Sequence, residues 1–312
     1  MKAVRFHEFG GPEVLRYEDV EQPVAGAGEV LVRVTATTFN PVEGNIRLGV
    51  MQGPIPVELP HTPGLDVAGT VDALGEGVEG FAVGDEVVGF LPMTKPGAAA
   101  EYVLAPAEAL TPAPKGIPLA DAAALPLVGL TAYQALFDHG RLEAGQRVLV
   151  NGAGGPVGGY AVQLAKQAGA HVIATASPRS AEAVRTAGAD EVVDHTSTSV
   201  LSAVAEQVDL VLNLAPDPEV LAGLVTLVRP GGAVVNTTIW MPAPTDEDRD
   251  VRGVNLYVRS DAEQLAKLVA LVDSGDLRVD VAQRVPLTDL SEVHVQAASG
   301  GVRGKVVILV SA

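Results

Sequence analysis

The chain contains no cysteine among its 312 residues. It therefore has no thiol for a disulfide, a thiolate metal site or a covalent nucleophile, and its cysteine usage gives no sign of an oxidising compartment. No uninterrupted apolar run is long enough to span a membrane, and the first residues lack the charged and apolar regions of a secretory signal. We therefore expect no membrane partner, and the cytoplasm is the default location.

Positive charge is also scarce. Lysine and arginine number 21 against 38 aspartates and glutamates, which gives a formal net charge of −17. A molecule of this charge repels phosphate backbones, so we expect no nucleic-acid partner. The segment from Ala144 to Ala181 is an exception, because it contains no Asp or Glu at all. A local loss of acidic residues in an acidic chain favours a specific anion site there.

This acid-free segment holds the most informative motif. An apolar strand, Arg147–Asn151, runs into a glycine cluster that opens directly into an amphipathic helix ended by Gly169. A pyrophosphate needs backbone N–H groups directed at it and no side chains in the way, and a glycine turn at a helix N-terminus provides both. A second strand, His171–Ala176, completes a βαβ unit, which disfavours a flexible glycine loop or a hairpin turn. The residues assigned to the dinucleotide are Gly152, Ala153, Gly154, Gly155, Pro156, Val157 and Gly158.

The loop after the second strand indicates which dinucleotide binds. An NAD site places Asp or Glu about 20 residues past the glycines, where it bonds the ribose hydroxyls. Here that position falls at Ala176 or Ser177, and the loop continues to Arg179 and Ser180. A guanidinium flanked by hydroxyls suits a phosphate on the ribose 2′ position. We therefore predict NADPH, bound through Ser177 and Arg179; the alternative is that Arg179 is a solvated residue at a helix start.

Two lobes are expected from the length of the chain and from a change in the pattern of predicted strands and helices along it. Up to about Ala124, short strand-like runs separated by Gly and Pro predict a small β-barrel lobe. Strands and helices then alternate, which predicts a doubly wound parallel sheet. The predicted strands are Val30–Ala36, Asp66–Ala73, Asp85–Gly89 and Ala99–Leu104 in the first lobe, and Val148–Asn151, His171–Ala176, Glu191–Val193, Asp209–Leu214, Ala233–Thr237 and Asn255–Val258 in the second.

The C-terminal segment is predicted to return to the first lobe. A capping box at Ser260 and Glu263 begins a helix that Gly275 ends, and the chain closes on the strand Lys305–Val310. The expected domains are 1–124 for the barrel lobe, 125–260 for the dinucleotide domain and 261–312 for the return. The acidic stretch Met241–Asp250 is interpreted as a solvated loop, with a substrate lid as the alternative.

Six motifs carry a resemblance that runs nearly end to end. They are Asn40–Glu43 with Arg47 and Gly49, Pro63–Gly69, Val83–Val87, Leu130–Tyr133, Asn151–Gly158 and Arg303–Val307. Through them the chain resembles the medium-chain dehydrogenase/reductase superfamily, and within it the zinc-independent quinone oxidoreductase branch. The resemblance implies an α/β protein in which a Rossmann domain, with a doubly wound parallel sheet, accompanies a GroES-like, partly open β-barrel catalytic domain. It also implies a homodimer, expected to form by edge pairing of the strand Asn255–Val258.

The zinc members of that family bind a catalytic metal through Cys, His and Cys, and the matching positions here are Asn40, Leu65 and Leu127. Because leucine cannot ligate a metal, the resemblance implies reduction without a metal site. His61 has no Cys, His or Glu at ligand spacing, so we expect a surface loop histidine.

The resemblance also implies direct hydride transfer from the nicotinamide to an electron-poor carbon of a quinone or a conjugated enone. Two residues are assigned to catalysis. The Asn40 amide is a candidate donor to the acceptor oxygen, with a turn-stabilising role before Pro41 as the alternative. Thr131 resembles the family threonine whose hydroxyl lies against the nicotinamide.

Further cofactor contacts are assigned by position, because ligands bind at the carboxyl ends of strands in doubly wound sheets. His195 matches a family tyrosine near the adenosine ribose phosphate, with an exposed histidine as the alternative. Lys305 is assigned to the cofactor from the other lobe, with a surface lysine at a strand edge as the alternative. The residues expected near the nicotinamide half are Leu214, Ala215, Thr237, Tyr257 and Val258.

Two other functions stay open at this point. One is a pathway-specific enoyl or double-bond reductase with a polyketide-like or thioester substrate. Relatives of that kind carry a tyrosine acid where this chain has Gly49–Gln52. The other is a non-catalytic NADPH-binding protein, which the presence of Asn40 and Thr131 disfavours.

Overall fold

In the computed structural model, which describes residues 1–238 and 240–310, the N-terminal part of the chain consists mainly of strands. The strands are β1 (Lys2–Phe6), β2 (Leu15–Asp19), β3 (Glu29–Thr38), β4 (Asp66–Leu74), β5 (Glu86–Phe90), β6 (Tyr102–Pro106) and β7 (Leu110–Pro112), and the helices are α1 (Pro41–Arg47) and α2 (Leu119–Ala122).

The middle of the chain alternates helices and strands. It comprises α3 (Pro126–Tyr133), continued by a π-helix over Gln134–His139, then β8 (Arg147–Asn151), α4 (Pro156–Gln167), β9 (His171–Ala176), α5 (Ala181–Thr186), β10 (Glu191–Asp194), α6 (Val200–Ala203), β11 (Val208–Asn213), α7 (Pro218–Leu224), β12 (Val228–Asn236) and β13 (Arg252–Asn255).

The C-terminal part adds α8 (Ala262–Asp273), β14 (Gln283–Pro286), α9 (Leu290–Ala298) and β15 (Val306–Leu309). Short 3₁₀ turns lie at Pro12–Val14, Ala107–Ala109, Val225–Leu227, Glu247–Arg249 and Leu287–Asp289. The chain forms two compact units. The first is Met1–Leu127 together with the residues from Ser260 onward, and the second is Val128–Arg259.

The first unit is built around a seven-stranded sheet. Its order is β14-β15-β3-β4-β5-β7, with β6 also paired to β3, and β1 and β2 form a separate antiparallel pair. The core is rich in valine, including Val30, Val32 and Val34 of β3. β15 runs antiparallel to β3, with Val307 opposite Thr38. The C-terminal strand β15 therefore belongs to the sheet of the first unit.

The second unit contains a six-stranded parallel sheet of order β10-β9-β8-β11-β12-β13. From β8 the chain winds outward to β9 and β10, and it then returns to place β11 on the other side of β8. The carboxyl ends of β8 and β11 therefore flank the point where the strand order reverses, which is where ligands bind in such sheets. This topology confirms the α/β prediction with a doubly wound parallel sheet.

Three predicted strands have clearly wrong bounds: β12 begins at Val228 rather than at the predicted Ala233, and two other strands are displaced along the chain. The sixth parallel strand is Arg252–Asn255 rather than Asn255–Val258, because its neighbour β12 ends at Asn236, directly opposite Asn255. The barrel strand predicted at Ala99–Leu104 is Tyr102–Pro106, since Ala99 and Ala100 pair with β1 instead. In both cases the partner strand sets the end, and the local sequence does not contain that information.

The predicted capping box of α8 is also wrong. Asp261 is the N-cap, and its Oδ1 accepts a hydrogen bond from the Gln264 N–H at 2.9 Å. Ser260 instead donates its hydroxyl to the Phe90 carbonyl, at 2.8 Å. The serine is committed to a tertiary contact, so the adjacent carboxylate caps the helix. Gly275 follows the helix end with φ of +80°, as predicted.

Among the described residues, no helix combines the length and the apolar character that crossing a membrane requires.

Candidate functional site

The glycine loop connects β8 to α4 as the sequence predicts. Gly152 follows the strand with φ of +91°, a left-handed conformation that glycine adopts without steric cost. Gly155 is the N-cap of α4, and Pro156 occupies its first turn, where the missing N–H has no consequence. The buried face of α4 includes Ala161, Leu164 and Ala165, while Val157 and Ala168 are half-buried.

The space around these glycines tests whether a pyrophosphate fits. A Cβ on Gly152 would lie 3.2 Å from the Ala215 backbone nitrogen, and a Cβ on Gly158 would meet the Ala153 backbone at 2.5–2.7 Å. Gly158 therefore leaves no room for a side chain, and at Gly152 the tight contact and the positive φ together disfavour one. Gly154 and Gly155 are exposed, and the first N–H groups of α4 have no intrahelical acceptor. The N–H groups of Gly152, Ala153 and Gly155 are bonded within the fold, so it is the first turn of α4 that presents backbone donors at a helix N-terminus, which fits a dinucleotide pyrophosphate.

The loop after β9 lies against the glycine loop. Residues 177–180 form a turn in which the Ser180 and Ala181 N–H groups both donate to the Ser177 carbonyl at 3.0 Å. A Cβ added to Gly154 would clash with the Ser180 side chain, so the two loops border one another. Arg179 is exposed at the tip of this turn. The structure therefore brings the predicted phosphate-binding loop next to the predicted pyrophosphate loop.

His195 lies beside the same loop. It follows β10, whose last residue Asp194 is paired with Ala176, and its N–H donates to the Ala176 carbonyl at 3.3 Å, while its side chain is exposed. Asp194 is a carboxylate at this corner that the sequence analysis does not consider. Its Oδ1 accepts from the Thr196 hydroxyl at 2.6 Å and from the Thr196 N–H at 2.9 Å, and these bonds lower the pKa of Asp194.

A chain of buried amides crosses the carboxyl edge of the parallel sheet. Asn151, Asn213 and Asn236 are the last residues of β8, β11 and β12, they stand opposite one another in register, and all three are buried. Asn151 donates from Nδ2 to Asn213 Oδ1 at 2.7 Å, and Asn213 donates from Nδ2 to Asn236 Oδ1 at 2.8 Å. We call these three residues the asparagine ladder.

Threonines extend the asparagine ladder at both ends. Thr175 donates its hydroxyl to Asn151 Oδ1 at 2.9 Å and accepts from the Gly152 N–H at 2.8 Å. Thr238 donates to Asn236 Oδ1 at 2.7 Å. This network was not predicted from the sequence, although an asparagine closes each of four strands, the fourth being Asn255 at the end of β13.

The predicted nicotinamide-side residues follow the ends of the later strands. The Leu214 N–H donates to the Asn151 carbonyl at 2.8 Å, and the Thr237 N–H donates to the Asn213 carbonyl at 3.1 Å. Leu214 and Ala215 therefore lie beside Gly152, and Thr237 lies one strand further along. Tyr257 is exposed and Val258 is half-buried, and both follow β13 rather than forming it. Thr131 is buried in α3.

The first unit contains a second buried polar network, around Asp66. The Asp66 side chain has no solvent exposure. Its Oδ2 accepts from Asn40 Nδ2 at 3.0 Å, from Lys305 Nζ at 3.2 Å and from the Thr38 hydroxyl, and its Oδ1 accepts from the Leu127 N–H at 2.7 Å. We call Thr38, Asn40, Glu43, Asp66 and Lys305 the charged cluster.

Both the oxygen and the nitrogen of the Asn40 side-chain amide form hydrogen bonds within the charged cluster. Its Oδ1 accepts from Lys305 Nζ at 2.6 Å, and its Nδ2 also donates to the Thr38 hydroxyl at 3.3 Å. Its backbone is the N-cap of α1. Lys305 is only 3 % exposed, so the alternative of a surface lysine at a strand edge is wrong. The sequence could not show this, because Lys305 lies 265 positions from Asn40.

Glu43 completes the charged cluster. Its Oε1 accepts from the Leu65 N–H at 2.8 Å, and its Oε2 accepts from the Asn40 N–H at 3.4 Å. Burial raises the pKa of Glu43 to about 7, and the nearby Asp66 charge adds to the rise. Glu43 and Asp66 thus bond to the backbone N–H of Leu65 and Leu127, the two leucines at the positions that match metal ligands in zinc members of the family.

His61 is not the surface residue expected from the sequence. It is 3 % exposed, its backbone pairs with Phe6, and its ring lies edge-on to the Phe6 ring with centroids 5.4 Å apart. Burial lowers the pKa of His61 to about 4. Within the described part of the chain, no group of three or more His, Cys, Asp or Glu residues is arranged to hold a metal ion.

Two family models match the chain. The alcohol dehydrogenase GroES-like domain matches residues 26–115, and the zinc-binding dehydrogenase family matches residues 187–308. The chloroplast envelope quinone oxidoreductase homolog of Arabidopsis thaliana is 32% identical over 326 residues, which covers 99% of this chain and 98% of the relative. The quinone oxidoreductase of Mus musculus is 34% identical over 328 residues, with the same coverage.

Solved structures of similar fold cover essentially the whole chain. The quinone oxidoreductase from Coxiella burnetii has a TM-score of 0.91 at 30% identity and covers 100% of this chain and 99% of its own. An NAD-dependent alcohol dehydrogenase has a TM-score of 0.90 at 32% identity, with 100% of both chains covered. A mycobacterial protein complexed with NADPH has a TM-score of 0.84 at 29% identity and covers 99% of this chain and 100% of its own.

These likenesses extend over both units and agree with the glycine loop at the carboxyl edge of the parallel sheet. The chain therefore belongs to the medium-chain dehydrogenase/reductase superfamily, in its zinc-independent quinone oxidoreductase branch, and it is an oxidoreductase that binds a nicotinamide dinucleotide.

Proposed function

We propose that the protein is an NADPH-dependent reductase that transfers a hydride to a quinone or an α,β-unsaturated carbonyl compound. The observation that carries the cofactor assignment is the turn at residues 177–180, which presents Arg179 beside the glycine loop. No Asp or Glu occurs between Ala144 and Ala181 to bond an unphosphorylated ribose, and Asp194, the carboxylate that lies at this corner, accepts hydrogen bonds from Thr196. The likeness to other structures does not decide this point, because one neighbour is NAD-dependent and another is complexed with NADPH.

Different residues bind the different parts of the dinucleotide. Backbone groups of Gly152–Gly158 bind the pyrophosphate, and Ser177, Arg179 and His195 bind the 2′-phosphate of the adenosine ribose. Leu214, Ala215, Thr237, Tyr257 and Val258 contact the nicotinamide half, as do Thr131 and Lys305.

The acceptor class rests on the relatives named quinone oxidoreductases, which match this chain over nearly its full length. The bound dihydronicotinamide supplies the hydride, and the protein supplies position and hydrogen bonds. Asn40 is our proposed donor to the acceptor oxygen. The acceptor oxygen would replace the Thr38 hydroxyl as a hydrogen-bond acceptor of the Asn40 amide. Of the two hydrogen bonds that Asn40 Nδ2 donates, the one to Thr38 is the longer, at 3.3 Å against 3.0 Å to Asp66. An Asn40→Ala variant with unchanged turnover would remove this role.

The cofactor proposal is tested with Arg179→Ala and a matched control. Loss of a guanidinium that bonds a phosphate raises the dissociation constant of NADPH about tenfold to hundredfold, since such a bond is worth about 1.5–3 kcal/mol. Binding of NADH stays unchanged. The control is Arg185→Ala, which removes an exposed arginine on α5 that pairs with Glu182. Equal affinity of the wild-type protein for NADH and NADPH would contradict the proposal.

The acceptor is tested by following NADPH oxidation with a panel of quinones, enones and enoyl thioesters. We expect turnover with quinones or enones. Turnover confined to enoyl thioesters would instead identify a double-bond reductase of thioester substrates. Tight NADPH binding with no turnover on any acceptor would identify a non-catalytic protein.

We also propose a homodimer that pairs along β13. This strand forms one edge of the parallel sheet, and within the described residues β12 is the strand that pairs with it. An exposed strand edge offers backbone donors and acceptors to a second copy. Sedimentation should give twice the 32.0 kDa chain mass, and a monomer at micromolar concentration would contradict the proposal.

A further inference from the structure

The side chains of Asn213 and Asn236 also hydrogen-bond to the loops that follow their own strands. Asn213 donates from Nδ2 to the Ala215 carbonyl at 3.0 Å, and Asn236 donates from Nδ2 to the Thr238 carbonyl at 3.1 Å. Asn236 also donates to the Met241 carbonyl at 2.6 Å. Asn213 and Asn236 therefore each bond both to a neighbour in the asparagine ladder and to the loop two residues further along their own chain segment.

The bonds of the ladder run in one direction. Each Nδ2 donates toward the strand on the β13 side, from Asn151 to Asn213 and from Asn213 to Asn236. A carboxamide is suited to this because it carries a donor and an acceptor on one rigid plane. Bonds in such a buried chain polarise one another, so a change at one member is felt along the row.

The ladder begins at the glycine loop. Thr175 links Asn151 to the Gly152 N–H, and Gly152 is the residue that turns the chain from β8 toward the helix. One continuous row of side chains therefore joins the glycine loop to the loops at residues 214–215 and 237–238. We refer to these two as the nicotinamide-side loops.

We infer that the asparagine ladder sets the position of the nicotinamide-side loops relative to the glycine loop, and that Asn213 is a positioning residue for hydride transfer. This rests on the proposed function, which assigns those loops to the nicotinamide half. Asn213 acts through the Ala215 carbonyl and through Asn236. Its expected effect is on the placement of the nicotinamide ring, while the adenosine end, bound by the loop at residues 177–180, is left in place.

Two matched substitutions test the inference. Asn213→Asp keeps the acceptor for Asn151 but cannot donate to Ala215 or Asn236. Asn255→Asp makes the same chemical change at the end of β13, two strands away from β11. Asn255 is exposed and its Oδ1 accepts from the Ala243 N–H; an aspartate keeps that acceptor. The measurements are kcat, the dissociation constant of NADPH, and that of 2′-phospho-ADP-ribose, which lacks the nicotinamide.

For Asn213→Asp we expect kcat to fall at least about tenfold, equivalent to one lost hydrogen bond of about 1.4 kcal/mol. Binding of 2′-phospho-ADP-ribose should stay within about twofold of wild type, and Asn255→Asp should match wild type in all three measurements. An unchanged kcat would overturn the inference. Equal losses for NADPH and for the fragment would also overturn it, because they would indicate general damage to the domain.

A neutral second variant covers the case in which a buried carboxylate prevents folding. Asn213→Ala removes the same donors without a charge, and the same split between kcat and fragment binding is expected. A wild-type protein that fails to bind NADPH would refute the proposed function. A wild-type protein that binds NADPH, with a normal kcat in Asn213→Ala, would refute the inference about the asparagine ladder alone.

Discussion

The asparagine ladder and the charged cluster both bury polar side chains, but they stabilise them by different means. The ladder, in the second unit, uses neutral amides that satisfy one another along a row. The charged cluster, in the first unit, surrounds the Asp66 carboxylate with the Lys305 ammonium, an amide, a hydroxyl and a backbone N–H. One network carries no ionised group, and the other depends on them.

This difference decides how much stability each network loses when one of its groups is left without a partner. A neutral amide that loses its partner costs the desolvation of one dipole, whereas a buried charge that loses its partner is left uncompensated in a medium of low polarity. It also decides the response to pH, since amides do not titrate and carboxyls do. The comparison therefore predicts a large, pH-dependent sensitivity in the charged cluster and a smaller, pH-independent one in the ladder.

The largest effect is expected from Lys305→Met. It removes the ammonium that faces Asp66 and Asn40, so the free energy of unfolding should fall by about 3–5 kcal/mol. Urea denaturation measures it, with Lys267→Met on the exposed side of α8 as a control that changes stability by less than about 0.5 kcal/mol. The double variant Lys305→Met with Asp66→Asn should cost less than the two single losses together. Full additivity would mean that the pair is not coupled.

The next effect is a pH dependence from Glu43. Because its pKa is raised from 4.5 to about 7, the folded protein keeps a proton that the unfolded chain releases. The protonated Glu43 therefore contributes about 3 kcal/mol to the free energy of unfolding. This contribution is fully present below pH 4.5 and is lost as the pH rises through 7.

The measurement for Glu43 is the stability of Glu43→Gln relative to wild type between pH 5 and pH 8. As the pH rises, the free energy of unfolding of Glu43→Gln should increase by about 3 kcal/mol relative to that of the wild-type protein. His61, whose pKa is lowered, gives wild type a slope of the opposite sign between about pH 4 and 6.5, but it is present in both proteins and cancels. A constant difference across this range would show that Glu43 titrates normally.

A smaller effect is expected from breaking the ladder with Asn213→Leu. The substitution removes the acceptor of Asn151 Nδ2 and the donor to the Ala215 carbonyl, while Asn236 Oδ1 keeps its bond from Thr238. The loss should cost about 1–3 kcal/mol. The loss should be the same at pH 5 and pH 8. A loss larger than that of Lys305→Met would reverse the comparison between the two networks.

The smallest effect is expected at the exposed end of β13. Asn255→Asp keeps the acceptor for the Ala243 N–H, so the free energy of unfolding should change by less than about 0.5 kcal/mol. A larger loss would mean that the asparagine ladder extends to a fourth strand.

Much of the dinucleotide site could be predicted from local spacing. The glycine loop, Pro156 in the first turn of α4 and Gly169 after its end all lie within one βαβ unit, where each feature depends on neighbours a few positions away. The position of the 177–180 loop follows from the same unit, because parallel strands joined by one helix lie side by side.

Features that depend on a partner strand were harder to predict. The end of β13 is set by the end of β12, and the cap of α8 is set by the contact of Ser260 with Phe90. Asn151, Asn213 and Asn236 each lie within one residue of a predicted strand end, but their role required the register that places them in one row.

The amino-acid sequence by itself determined the fold class, the dinucleotide motif and the acid-free segment around it, because hydrophobic periodicity and turn residues act over a few neighbouring positions. Only the tertiary structure decided that Lys305 is buried against Asn40 and Asp66, and that the strand-end asparagines form one network. Their partners are 23 to 265 positions apart along the chain, and a contact of that kind exists only once the sheets have brought the strands together.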